Sequence, residues 1–141
     1  MKKTLSLAIA VILVFACMFT LAACGKKNEF VGVYEMQEIS GTLTSNGTTT
    51  QLDKSLYKYY TIELKADNTA IVRSEATGTT NQTVEAEATW KAEGNVIKLI
   101  STVGGISITE EMTYDNGTLT YSSKQSAAGM TIEMTMTLVK Q

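Results

Sequence analysis

The chain has 141 residues, with 12 Lys or Arg against 14 Asp or Glu, two cysteines, and neither histidine nor proline. Without histidine it cannot assemble a Ser-His-Asp or Cys-His site, and it lacks the mixed ligand sets of ordinary zinc centres. A formal net charge of −2 and no basic stripe interleaved with aromatics argue against a nucleic-acid partner, so no enzyme activity, metal or cofactor is expected.

The first segment is built for export. Lys2 and Lys3 precede a nearly unbroken apolar run over residues 5–21, and the small pair Ala22 and Ala23 leads to Cys24. An uncleaved membrane helix needs about 20 apolar residues, and this run falls short. "LAAC" resembles the lipobox of bacterial lipoproteins. That resemblance implies cleavage before Cys24, a diacylglycerol on its thiol, and fatty acyl chains such as palmitate holding the new N-terminus. Two chains give stable anchoring, at about 0.8 kcal/mol per buried methylene. Residues 1–23 are then a signal peptide, and residues 24–29 are the lipidated cysteine and its tether. Cys17 leaves with the signal, so the mature chain has no disulfide. Lys26 and Lys27 either approach anionic headgroups or form a solvated linker. The implied location is the bacterial cell envelope, lipid-anchored at the outer face of a membrane. Gly25 stands where an inner-membrane retention aspartate would be.

From Phe30 the pattern is that of strands. "VEAEATWKA" sends Val84, Ala86, Ala88, Trp90 and Ala92 to one face and charged or polar residues to the other. "MTIEMTMTL" repeats this with Met130, Ile132, Met134, Met136 and Leu138. The alternation predicts strands over 30–44, 47–52, 59–65, 69–77, 82–92, 95–102, 106–114, 118–123 and 130–139. Turn pairs separate them: Asn46-Gly47, Asp67-Asn68, Gly94-Asn95, Gly104-Gly105 and Asn116-Gly117. "QLDKSLYKYY" predicts one helical turn capped by Asp53.

Consecutive hairpins of this kind predict an all-β fold, a single up-and-down antiparallel barrel of eight to nine strands over residues 30–141. A two-sheet sandwich is the alternative. "VGVYEM", "TIELKADNTAIV", "ATWKAEGNVIKLI", "YDNGTLTY" and "TLVK" resemble the lipocalin-like domain of small bacterial lipoproteins. In that pattern Gly32 and Tyr34 open the first strand, and Trp90 precedes the Gly94-Asn95 hairpin; lipocalins proper carry tryptophan where Tyr34 stands. The resemblance implies a barrel without shared catalytic residues.

Three features point to a site, each beside a plainer account. The alanine face and the methionines Met36, Met112, Met130, Met134 and Met136 either pack a barrel core or leave a cavity for an apolar ligand. Tyr57, Tyr59 and Tyr60 plug the barrel end or form a binding patch. Glu110 falls in phase with Ile106, Ile108, Met112 and Tyr114; either a bulge at Glu110-Glu111 returns it to water, or it faces the interior and needs a partner such as Arg73. The candidate ligand-binding residues are Glu110, Trp90, Tyr57, Tyr60 and Met134, with Cys24 as the lipidation site. The expected function is a membrane-anchored, non-enzymatic binding module for a small apolar or amphipathic ligand. The alternative is a filled barrel that contacts a protein or a cell-wall glycan.

Overall fold

The computed structural model describes residues 27–78 and 82–141, so the expected signal peptide over 1–23 and the expected lipidation site Cys24 lie outside the described residues. The chain divides into Met1–Phe30, of which residues 27–30 are described as helical, and Val31–Gln141. The second unit is all β.

Its strands are β1 (Gly32–Ser45), β2 (Thr48–Leu52), β3 (Tyr57–Leu64), β4 (Thr69–Ala76), β5 (Thr83–Glu93), β6 (Val96–Val103), β7 (Ile106–Asp115), β8 (Thr118–Ala127) and β9 (Met130–Lys140). From β3 onward each strand pairs antiparallel with the next, and β9 returns to β1. Eight strands thus close a barrel. The ninth, β2, is an extra strand, because the free edge of β1 is shared: β3 takes Gly32 to Glu35 and β2 takes Gly41 to Ser45. The sandwich alternative is therefore discarded.

Most strand bounds match the sequence pattern, with two differences. β8 continues to Ala127, because Ala128 (φ 50°) and Gly129 (φ 78°) form a tight turn without the usual asparagine signal. β3 begins at Tyr57, directly after a single 3₁₀ turn, Lys54–Leu56, in which the Asp53 carboxylate accepts from the Ser55 backbone N–H at 2.8 Å. At Gly41 the β1 backbone runs close against β9. The Gly41 φ is +141°, and a Cβ there would lie 2.0 Å from the Glu133 carbonyl oxygen.

The core occupies one end of the barrel. Tyr34, Leu64, Trp90, Ile97, Leu119 and Leu138 are buried there. Trp90 is fixed from two directions: its backbone N–H donates to the Asn68 carbonyl at 2.8 Å and its indole Nε1–H to the Lys65 carbonyl at 2.9 Å. Both acceptors belong to the turn between β3 and β4, which satisfies the indole of a buried ring.

At the other end the wall parts. The β5–β6 ladder stops at Thr89 and Ile100, and the β7–β8 ladder stops at Met112 and Tyr121. Residues 101–108 therefore stand as a two-stranded ribbon paired only with itself, and 109–111 pair with β6 alone. This corrects the expectation of a continuous buried face on β5: of Val84, Ala86, Ala88, Trp90 and Ala92, Trp90 alone is buried and Ala88 is half-buried. Alternation fixes which face a side chain takes, but burial needs a neighbouring strand beside it and layers above it.

Candidate functional site

Between the packed core and the open end lies a pocket of about 180 Å³. β3 contributes Tyr57 and Tyr60, β7 contributes Glu110 and Met112, β8 contributes Tyr121, and β9 contributes Met134. The β3–β4 register shifts between Tyr57 and Tyr59, an irregularity that lets Tyr57 and Tyr60 share the pocket. Tyr59 instead makes a 3.0 Å hydroxyl contact with Thr83. The rings of Tyr57 and Tyr60 meet edge to face, with centroids 5.9 Å apart and planes at 77°. Tyr57 and Tyr60 thus form part of the pocket wall, and Tyr59 does not.

Among the described residues, Glu110 is the one charged side chain lining this pocket. The β6–β7 register runs unbroken from Val96 opposite Thr113 to Val103 opposite Ile106, so no bulge turns Glu110 outward. It sits opposite Leu99, facing inward and half-buried, while Glu111 reaches Lys98 at 3.4 Å. Arg73 is not its partner: the guanidinium lies 2.8 Å from Glu85 and 3.0 Å from Glu63, whose hydrogen bonds raise its pKa. No ion pair among the described residues includes Glu110.

Burial raises the pKa of the Tyr60 phenol, and the Glu110 charge adds to the effect. Burial likewise raises Tyr121, with Glu110 acting on it through both charge and a hydrogen bond, against a lowering hydrogen bond from Ser123. Both phenols are therefore held neutral beside the carboxylate.

Four of the five residues expected to bind, Glu110, Tyr57, Tyr60 and Met134, come together here. Trp90 does not join them; it is buried in the core on its hydrogen bond to Lys65. Tyr121 was missed, although its position two residues after Leu119 puts it on the inner face of β8. Of the methionines, Met36, Met112 and Met136 fill the interior as expected of core packing, yet the pocket remains beside them.

A larger depression of about 400 Å³ lies where β5 leaves β6. Ile71, Glu87, Ile100 and Thr102 line it from outward register positions, so it is a groove on the outside of the sheet. The inner pocket is the better candidate because apolar and aromatic walls converge there on one carboxylate. Among the described residues no group of three or more Cys, Asp or Glu is placed to hold a metal ion. Comparison with protein-family models, curated proteins and solved structures finds no match to this chain.

Proposed function

We propose that this chain is a lipocalin-like bacterial lipoprotein, tethered to the outer face of a membrane through acylated Cys24, whose barrel is a non-catalytic binding module for a small apolar or amphipathic molecule. One observation carries the binding reading. Above the pocket, Val84, Val103, Ile106, Ile108 and Met130 occupy inward register positions yet remain 43% to 70% exposed. Fully burying side chains of this kind is worth about 1.5–3 kcal/mol each. A ligand that covered them would gain part of that energy without rebuilding the core. The tether reading rests on Lys2, Lys3, the apolar run over 5–21 and "LAAC".

The test is a thermal-shift titration with single-chain amphiphiles of varied headgroup. A ligand that binds only the folded barrel raises Tm by mass action. An interior-binding reading predicts a rise that Met134→Lys abolishes; an unchanged Tm across the series sinks it. A second reading, a surface module that contacts a protein or glycan, is favoured by Val103 and Ile106, which are exposed on the ribbon of residues 101–108. It gains if no amphiphile shifts the transition.

A further inference from the structure

The pocket's chemistry narrows the ligand class, an inference that rests on the binding function proposed above. Glu110 is an inward-facing carboxylate with no cation among its described partners, and among the described residues the pocket lining holds neither lysine nor arginine. A half-buried carboxylate gains most from an opposite charge that also satisfies its oxygens. Around it stand the rings of Tyr57, Tyr60 and Tyr121. Such rings attract a cation over their faces, most strongly where water is excluded. An anionic headgroup would meet the carboxylate as a like charge, and a neutral alcohol would leave the charge uncompensated.

Size agrees with chemistry. A dry cavity of about 150 Å³ holds a benzene-sized group, so the 180 Å³ pocket suits a compact headgroup and not a whole drug-sized molecule. On β7 the inward positions beyond Glu110 are Ile108 and Ile106, both exposed and leading away from the pocket toward the open end. They offer an apolar track for a chain attached to that headgroup.

We propose that the barrel binds a cationic amphiphile whose ammonium group sits against the Glu110 carboxylate among the rings of Tyr57, Tyr60 and Tyr121, with its apolar chain running along Ile108 and Ile106. Burial keeps the phenols of Tyr60 and Tyr121 protonated, so both present neutral rings to the cation.

The experiment uses the full acylated chain in lipid nanodiscs, with empty nanodiscs as the blank. Octylammonium, octanoate and octanol are titrated by calorimetry. The ammonium probe should bind at least about ten-fold more tightly than either of the others, the scale of one well-placed charge interaction. Glu110→Gln should level the three affinities. Tyr57→Leu should weaken the ammonium probe several-fold, and Tyr57→Phe, which keeps the ring face, should restore it. If octanoate or octanol binds as well as the ammonium probe, or if Glu110→Gln leaves the preference intact, the cation assignment is overturned and the binding function stands. If none of the three binds, both fail. Should Glu110→Gln not fold, the Tyr57 pair and the order of the three probes still decide.

Discussion

Ile97 and Ile106 are the same residue type, on adjacent strands of one ladder, both facing inward, yet Ile97 is fully buried and Ile106 is 70% exposed. Truncating each to alanine separates the packed end from the open end. Ile97→Ala removes three carbons from the core, worth about 2.4 kcal/mol at roughly 0.8 kcal/mol per methylene. The unfilled space beside Met112 adds a cavity cost, for a total of about 3–4 kcal/mol. At roughly 4–8 °C per kcal/mol for a domain near this size, Tm should fall by on the order of 15 °C. Ile106→Ala should cost no more than about 0.5 kcal/mol, because water already surrounds most of the side chain. Urea unfolding of both variants, with a check that the slope is unchanged, measures the difference directly. Equal costs would refute the reasoning, since they would require Ile106 to be packed as tightly as Ile97.

Three further outcomes follow from named contacts. Gly41→Ala places a Cβ 2.0 Å from the Glu133 carbonyl oxygen and 2.7 Å from the Met134 Cα, and backbone cannot swing aside as a side chain would. The cost should be at least about 2 kcal/mol in the same urea assay, and an unchanged midpoint would show that β1 and β9 are not in contact there. Tyr60 has its pKa raised above the ordinary 10.0, first by burial and then by Glu110, so the stability it contributes is complete below pH 10 and is lost as pH climbs beyond that toward the folded-state value. Tyrosinate absorbance, with Tyr60 assigned from the difference against Tyr60→Phe, should show Tyr60 ionising above the ordinary tyrosine value, and Glu110→Gln should bring it earlier while leaving it raised; ionisation at the ordinary value would contradict its burial. Cys24→Ala should leave the precursor unprocessed and unacylated by mass spectrometry, and normal acylated product from the variant would end the lipoprotein reading.

The strand order was legible because hydrophobic alternation and turn chemistry are local. Val84 to Ala92 and Met130 to Leu138 declare their inner faces without reference to any partner, and Asn46-Gly47 and Asn116-Gly117 declare the hairpins. Ala128-Gly129 was hidden because alanine rarely takes a positive φ. The site was half legible. Glu110 stood out as a charge in an apolar phase, but its inward direction depends on an unbroken β6–β7 register, and the tyrosines share its pocket only through the irregularity in β3. Trp90 suggested a ligand contact on residue type alone; its indole is instead satisfied by the Lys65 carbonyl, a partner 25 residues away that no local pattern announces. Where ladders stop, as at Thr89 and Met112, is likewise a property of the whole barrel.

The central claim is that the barrel interior beside Glu110 receives a ligand, and methionine methyl spectroscopy tests it most directly. Met112, Met134 and Met136 line the pocket, whereas Met36 is buried outside it. On titration of the full chain with octylammonium, the account predicts saturable shifts of the Met112, Met134 and Met136 methyl signals while Met36 stays in place. Saturable binding that leaves Met134 unmoved, or that moves Met36 as far as Met134, would contradict it.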